Sequence, residues 1–195
     1  MDSAPIIQEA VKVLREGGVI LYPTDTVWGI GCDATNEKAV ARVFEIKRRS
    51  EAKSLVLLAS DLDMVAKYVK VIPSIAIDLV EVNDAPMTII YPGAQYLASN
   101  AVAADGSVGI RIPLTEDNPG GAFCHELTYR LRRPLVSTSA NISGEPTPAS
   151  FAEISDEIKG AVDYVVPKPF GAGATGRSSQ IIKLGLDGEV EILRP

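Results

Sequence analysis

The chain has 195 residues, 46% of them hydrophobic and 23% charged, with a formal net charge of −6, and this is the composition of a globular protein able to bury its own core. Two cysteines, one histidine and no apolar run near ~20 residues exclude a disulfide framework, a structural zinc site and a membrane span, and the acidic balance disfavours broad binding to nucleic-acid backbones. The start of the chain lacks the apolar segment of a signal peptide, so we expect a cytoplasmic protein with reduced thiols.

Helical and strand patterns alternate along the sequence, which is typical of an α/β domain with a mixed sheet. Asp2 or Ser3 can cap the first helix, Asn36 can cap the second, and Ser60 with Asp63 resembles a capping box for the third. The predicted helices after the first cover residues 37–48, a segment ending at 69, 74–82, 122–132 and 151–158.

The predicted strands are apolar runs bounded by turn residues. They cover residues 19–22, 55–59, 87–91, 108–112, 135–137, 164–166, 180–184 and 190–193. Asp187-Gly188 is a hairpin signal between the last two strands. The Gly- and Pro-rich segment 167–178 predicts a long ordered loop, a kind of segment that is often functional inside a compact domain.

A first polar cluster follows the first predicted strand, in YPTDTVWGIG (22–31). Thr24, Asp25 and Thr26 stand at the end of that strand, where small polar groups can line a pocket. A hydrogen-bonded turn is the plainer explanation of the same residues. Both interpretations stay open on the sequence.

A second cluster, KRRSEAKS (47–54), places four cations at the end of the second predicted helix. It is either a solvated basic end that complements the helix dipole or an anion clamp suited to a triphosphate. The third cluster, STSANISG (137–144), offers four hydroxyls and one carboxamide directly after a buried strand. This density favours binding of phosphate oxygens and of a metal's water shell over a plain Ser-rich turn.

A glycine motif, GAGATG (171–176), matches G-x-G-x-x-G but lacks the required context. Prolines separate it from the preceding strand, and a strand rather than a helix follows it, so we exclude a dinucleotide-binding fingerprint. The sequence contains no P-loop, no G-x-S-x-G elbow and no H-E-x-x-H motif. We expect His125 to be a packing or surface residue and Cys124 to lie in the core.

Together the polar clusters resemble the YrdC-like family of threonylcarbamoyl-adenylate synthases. The matching segments follow the family's order over nearly the whole chain: YPTDTVWGIGCDA (22–34), K-x-R (47–49), VGIRIP (108–113), PLVSTSANISG (134–144), S-x-I-I (179–182) and ILRP (192–195). The resemblance implies an α/β fold in one YrdC-like domain over residues 1–195. Its sheet would be twisted and mixed, largely parallel, with flanking helices around a concave basic cavity.

The resemblance also implies an activity. Such an enzyme is a nucleotidyltransferase that combines L-threonine, bicarbonate and ATP into threonylcarbamoyl-AMP and pyrophosphate. Mg²⁺ would be carried with ATP, and the protein would hold no metal of its own. A separate transferase complex would then modify adenosine 37 of tRNA, so that contact of this chain with tRNA is expected to be weak or indirect.

The resemblance assigns the candidate site residues by motif. The threonine side would comprise Thr24, Arg111, Ser137 and Ser179, with Arg111 suited to a bidentate pair with the carboxylate. The ATP side would comprise Lys47, Arg49, Ser107, Ser139, Asn141, Thr147 and Arg194. Lys47 and Arg49 would be catalytic because they hold the phosphates.

The chain departs from the family pattern at several positions. Leu58 stands where many members have His, Ser50 where Pro is usual, and Asn83–Thr88 replaces W-P-G-P-x-T, which leaves the amino-acid preference open. Two other functions are considered. An RNA-binding module for tRNA or double-stranded RNA is disfavoured by the net charge of −6. A carbamoyl-adenylate-handling domain, as in hydrogenase-maturation proteins, would come with Cys motifs that this chain lacks.

Overall fold

A computed structural model of the chain describes residues 3–51, 54–167, 170 and 173–195. The helices are α1 (Ala4–Arg15), α2 (Glu37–Lys47), α3 (Leu62–Tyr68), α4 (Ser74–Val82), α5 (Pro119–Leu131) and α6 (Asp156–Ala161). The strands are β1 (Ile20–Tyr22), β2 (Gly29–Gly31), β3 (Val56–Leu58), β4 (Met87–Tyr91), β5 (Val108–Arg111), β6 (Leu135–Ser139), β7 (Tyr164–Val165), β8 (Gln180–Leu184) and β9 (Val190–Arg194). Short 3₁₀ turns lie at Ser99–Ala101 and Phe151–Glu153.

The described strands form one sheet in the order β7-β1-β2-β6-β3-β5-β4-β8-β9. Three pairings are parallel (β1 with β7, β3 with β5, β4 with β8) and five are antiparallel. The predicted α/β class with a mixed sheet and flanking helices is therefore confirmed, and parallel pairings are fewer than expected. Short connections, such as those from β1 to β2 and from β8 to β9, return the chain without a crossover and so enforce antiparallel pairing.

The two faces of the sheet carry different residues because side chains alternate along each strand. One face is a continuous apolar core, to which the strands contribute Leu21, Ile30, Leu57, Ile89, Ile110, Val136 and Leu184. The opposite face is apolar only in part, where α1 and α5 cover it through a cluster that includes Ile20, Leu58 and Leu135. The remainder of that opposite face is polar and is open to ligands.

Helix starts show where local sequence patterns succeeded and where they failed. Asn36 caps α2 as predicted, because its side chain accepts a hydrogen bond from the backbone N–H of Ala39. The predicted side-chain cap of Ser3 on α1 is wrong, and the alternative, Asp2, lies outside the described residues. The capping box of Ser60 is also wrong: Asp61 caps α3, its carboxylate accepting from Met64 N at 2.7 Å.

Other elements also differ from the prediction. Strand β2, in the turn-like segment 22–31, was not predicted. Helix α5 begins at Pro119 rather than at residue 122, because Asn118 accepts from Gly121 N at 2.9 Å and so caps it earlier. The predicted helix over 151–158 is divided into a 3₁₀ turn and α6, whose cap is Ser155. The hairpin at Asp187-Gly188 is confirmed by the antiparallel pairing of β8 with β9.

The backbone of β2 lies too close to β6 for a side chain at residue 31. A Cβ added to Gly31 would lie 2.1 Å from the carbonyl oxygen of Val136. We expect Gly31→Ala to lower the free energy of unfolding by ~3 kcal/mol, since a backbone oxygen cannot move aside. Urea unfolding measures the change.

Gly160 in α6 supplies the matched control, because an added Cβ there meets nothing within 4 Å. Gly160→Ala is expected to stabilise the protein by up to ~1 kcal/mol through helix propensity. Equal effects of the two substitutions would contradict the close approach of β2 and β6.

Candidate active site

A cavity of about 250 Å³ opens on the polar part of the second sheet face. Its wall includes seven of the predicted site residues: Thr24, Arg49, Arg111, Ser137, Ser139, Ser179 and Arg194. Among the described residues, three arginines and no carboxylate line it. The predicted concave basic cavity is therefore confirmed, although the chain as a whole carries a net charge of −6.

The turn after β1 is both a hydrogen-bonded turn and a wall of the cavity. The Thr24 hydroxyl donates to Val27 O at 2.7 Å and accepts from the backbone N–H groups of Thr26 and Val27 at 3.0 and 3.1 Å. A hydroxyl has one proton to donate, so that of Thr24 is used inside the turn. The two interpretations left open by the sequence are both correct here.

Arg111 ends β5 and forms a buried ion pair with Asp25. The second carboxylate oxygen of Asp25 accepts from Leu114 N at 3.1 Å, and Arg111 Nη2 lies 3.4 Å from Thr26 Oγ1. Neither side chain of the pair is more than 4% exposed. Asp25 was not among the predicted site residues. A signal for it existed, because a buried arginine requires a carboxylate partner and Asp25 is the acidic residue in the motif that contains Thr24.

The glycine motif at 171–176 has a structural role in its described part, while residues 171 and 172 lie outside the described residues. Asn118 donates its side-chain N–H groups to Asp25 O at 3.3 Å and to Gly173 O at 3.0 Å. Thr175 N also donates to Asp25 O, at 3.0 Å. Residues 173–176 therefore bind to the turn after β1, and no described helix follows them, as the sequence context predicted.

Lys47, the last residue of α2, does not line the cavity. Its side chain is buried, and Nζ donates to Ser139 O at 2.5 Å and to Asn141 O at 2.7 Å. A third, longer contact reaches Asn141 Oδ1 at 3.4 Å. Burial, and then the nearby charge of Arg49, lower the pKa of Lys47 to about 8.

Arg49 and Arg194 bring two further guanidinium groups to the cavity wall. Arg49 Nη2 donates to Ser54 O at 2.7 Å, while its buried Nε has no hydrogen-bond partner among the described residues. Arg194 Nε donates to Ser179 O at 2.8 Å. Burial lowers the pKa of both arginines. An unpaired buried N–H beside a cavity is a group that an anionic ligand would satisfy.

The remaining predicted residues lie outside the cavity wall. Ser107 precedes β5, at the opposite end from Arg111, and its hydroxyl donates to Asp105 Oδ1 at 2.6 Å. Asn141 donates its amide N–H to Glu145 O at 2.8 Å. Thr147 is exposed on the loop after β6.

The positions that depart from the family pattern lie in different environments. Leu58 is fully buried in the apolar cluster under α1 and α5, so it does not line the cavity. Thr88 of the altered segment 83–88 is buried and hydrogen-bonded through its hydroxyl to Ser179 Oγ at 2.7 Å. Thr88 is therefore a supporting residue that the motif comparison had not included. Lys53 of the basic cluster lies outside the described residues.

The described residues offer neither a metal-binding cluster nor a membrane-spanning helix. Across the described residues, no group of three or more His, Cys, Asp or Glu side chains could hold a metal ion. No helix in the described part of the chain is long and apolar enough to cross a bilayer. Cys32 and Cys124 are both buried and unpaired.

The Asp25–Arg111 pair predicts a large loss of stability when its carboxylate is removed. Asp25→Asn removes the carboxylate charge and leaves the buried guanidinium uncompensated, which is expected to cost ~3–5 kcal/mol of unfolding free energy. Asp105→Asn is the control, because Asp105 pairs with Lys183 while both side chains are about half exposed, and its loss is expected to cost less than ~1 kcal/mol. Similar losses in urea unfolding would contradict the special place of Asp25.

The buried charge of Lys47 predicts that stability depends on pH. Its pKa falls from the ordinary 10.5 to about 8 on folding, so the unfolded chain binds the proton more tightly between these pH values. The stability of the wild type relative to Lys47→Met should therefore rise as the pH increases from about 8 to 10.5, by up to ~3 kcal/mol. Urea unfolding of both proteins across this range measures it, and a constant difference would contradict the burial of a charge.

Comparison with known proteins places these features in a family. The profile of the Sua5/YciO/YrdC family, described as "Telomere recombination", matches residues 12–195. The threonylcarbamoyl-AMP synthase of Pseudoalteromonas translucida (strain TAC 125) is 33% identical over 193 residues, which cover 97% of this chain and 98% of that protein.

Two solved structures resemble this fold over most of its length. Sua5 of P. abyssi complexed with L-threonine gives a TM-score of 0.81 at 28% identity, covering 91% of this chain and 50% of that chain. E. coli YciO gives a TM-score of 0.81 at 25% identity, covering 97% and 88%. The chain thus spans half of that Sua5 chain and nearly all of the Pseudoalteromonas protein. The chain belongs to the Sua5/YciO/YrdC family.

Proposed function

We propose that the chain is a threonylcarbamoyl-AMP synthase, which converts L-threonine, bicarbonate and ATP into threonylcarbamoyl-AMP and pyrophosphate. The observation that carries the proposal is the cavity, where three guanidinium groups meet a set of hydroxyls with no described carboxylate in the wall. Two of the three substrates are anionic and the third is a zwitterion with a carboxylate. The relative that is 33% identical over 97% of this chain bears the same name.

The threonine side of the proposed site is built around Arg111. Its Nη1 is engaged by Asp25, which leaves other N–H groups of the guanidinium for a substrate carboxylate. Ser179, held by Thr88, and Ser137 supply neighbouring hydroxyls on the wall. Thr24 would contribute contact surface, since its hydroxyl proton is used within its own turn. The P. abyssi relative is described as complexed with L-threonine.

The nucleotide side is proposed to lie beside Arg49, Arg194 and Ser139. Arg49 Nε is the unpaired donor, and charge-assisted hydrogen bonds to phosphate oxygens would satisfy it. A cavity of about 250 Å³ is smaller than the ~300–1,000 Å³ usual for drug-sized ligands, so ATP would extend beyond its mouth. The turn at Asn141, with Lys47 beneath it, and the exposed Thr147 follow Ser139 and are proposed to meet the nucleotide there. A contact from Ser107, at the far end of β5, would require the nucleotide to reach around the sheet.

The proposed chemistry requires positioning and charge neutralisation rather than a protein nucleophile. The neutral amine of threonine attacks carbon dioxide and loses a proton, or attacks bicarbonate with loss of water, and so forms a carbamate. A carbamate oxygen then attacks the α-phosphate of ATP as pyrophosphate leaves. The carbamate is labile in water, so a cavity that holds the reactants together and excludes water protects it. The guanidinium groups stabilise the charge that develops on the phosphate oxygens.

Mg²⁺ would neutralise phosphate charge when bound. Magnesium usually takes one or two carboxylates together with substrate phosphates, and the described cavity wall offers hydroxyls such as that of Ser139 instead. These residues fit an ion that arrives on ATP, with hydroxyls contacting its water shell.

In the proposed setting the enzyme is cytoplasmic, a separate transferase complex uses the product to modify tRNA, and direct contact with tRNA is weak. RNA binding as the main role is not favoured.

The test is pyrophosphate release from ATP by the purified protein with Mg²⁺, with and without L-threonine and bicarbonate. Release is expected only when both co-substrates are present. Arg49→Gln should lower the rate by ~10–100-fold, which corresponds to the loss of charge-assisted hydrogen bonds.

Arg48→Gln is the matched control. Arg48 is adjacent in sequence, but its side chain is 65% exposed and pairs with Glu157 on the surface. Its substitution should change the rate by less than about twofold. Release without dependence on either co-substrate, or equal effects at residues 48 and 49, would contradict the proposed function.

A further inference from the structure

The lysine of the K-x-R segment is turned away from the cavity toward two backbone carbonyls. We propose that Lys47 is a positioning residue, which holds the turn from Ser139 to Asn141 in the shape that receives the nucleotide and does not itself contact the phosphates. This inference rests on the proposed function for the identity of the ligand. The proposal gives the two cations of the K-x-R segment different roles, since Arg49 lines the cavity and Lys47 does not.

The hydrogen bonds of the ammonium group carry the proposal. An ammonium has three N–H groups. In this structure its contacts are Ser139 O at 2.5 Å, Asn141 O at 2.7 Å and Asn141 Oδ1 at 3.4 Å. All three acceptors belong to the turn, and the side chain of Lys47 is 1% exposed. A phosphate could reach this ammonium only after the turn had given up one of its hydrogen bonds.

Other contacts also hold the turn: Ser139 pairs with Gly29 in the sheet, and the Asn141 side chain donates to Ile142 O at 3.2 Å and to Glu145 O at 2.8 Å. Asn141 N donates to Ser139 O at 2.9 Å, and Ala140 N donates to Trp28 O at 3.0 Å. The backbone of Lys47 takes part as well, because its carbonyl accepts from Ser143 N at 2.9 Å. Lys47 thus holds both ends of the turn through its side chain, and its main chain holds Ser143 just after the turn.

A cation at this position has a physical consequence that an apolar residue would lack. The ammonium draws the carbonyl oxygens of Ser139 and Asn141 toward itself. A carbonyl oxygen that faced a phosphate would repel it, so their engagement by Lys47 keeps this negative end of the backbone dipole from the ligand. Because a trans peptide is planar, the N–H of Ile142 then points away from Lys47, opposite to the carbonyl of Asn141.

Lys47→Met tests the proposal, because methionine is similar in length, is unbranched and has no N–H to donate. The first measurement is amide hydrogen exchange of the ligand-free protein. We expect exchange at residues 140–143 to become ~10-fold or more faster in Lys47→Met, because the turn opens locally. The exchange of β5 should not change. Arg49→Gln should leave the exchange of the turn as in the wild type.

The second measurement is the affinity of each variant for ATP and for L-threonine, by calorimetry. Lys47→Met should weaken the binding of ATP by ~10–100-fold, since two charge-assisted hydrogen bonds that shape the nucleotide side are lost. The affinity for threonine should change by less than about twofold. If Lys47 merely supported the fold, its substitution would weaken the binding of both ligands and would speed up amide exchange throughout the protein.

Two results would overturn the inference. Unchanged exchange of the turn together with a loss of ATP affinity equal to that of Arg49→Gln would show that Lys47 binds phosphate directly. A parallel loss of threonine affinity and of protection throughout the protein would show a general structural role. If the wild type binds no ATP, the proposed function fails and so does the nucleotide part of the inference, whereas the exchange experiment separately supports or overturns the anchoring of the turn.

Discussion

The buried ion pair between Asp25 and Arg111 is the contact around which the cavity is assembled. A guanidinium in a low-dielectric interior is tolerated only when a carboxylate compensates it, so the turn after β1 has to lie against the end of β5. The backbone carbonyls of the same turn accept hydrogen bonds from the side chain of Asn118 and from the N–H groups of Thr175 and Gly176. The start of α5 and residues 173–176 thus meet at the turn that the ion pair holds in place, and this turn forms one wall of the cavity.

The sheet permits this polar arrangement because its two faces have separate tasks. The face that carries Leu57, Ile110 and Val136 is a continuous apolar core, and it supplies much of the burial that stabilises the fold. The opposite face can then give up part of its area to Arg111, Ser137 and Ser139 without leaving the protein short of buried surface. The period of two along β5 and β6 is what directs these side chains to the same side.

The electrostatics of the site are local rather than global. A chain with a net charge of −6 gathers three guanidinium groups around about 250 Å³, so small anions are attracted at short range while a long polyanion meets an acidic surface. In the proposed role, Lys47 is a cation close to such a site that acts on the backbone instead of on the ligand. Its donors are directed at the carbonyls of Ser139 and Asn141. Burial, followed by the nearby charge of Arg49, lowers its pKa to about 8.

Local sequence patterns determined the α/β class, the family resemblance and most helices and strands, because apolar periodicity and capping residues act over a few neighbouring positions. They also marked the polar clusters that form much of the cavity wall. Only the tertiary structure decided that β2 is a strand, that antiparallel pairings are the more numerous, and that Asp25 pairs with Arg111 across 86 residues of sequence. It also decided that Ser107 lies at the far end of β5 and that Lys47 faces the backbone. These outcomes depend on which strands become neighbours and on which charges share a buried space, and the periodicity of a single segment contains neither kind of information.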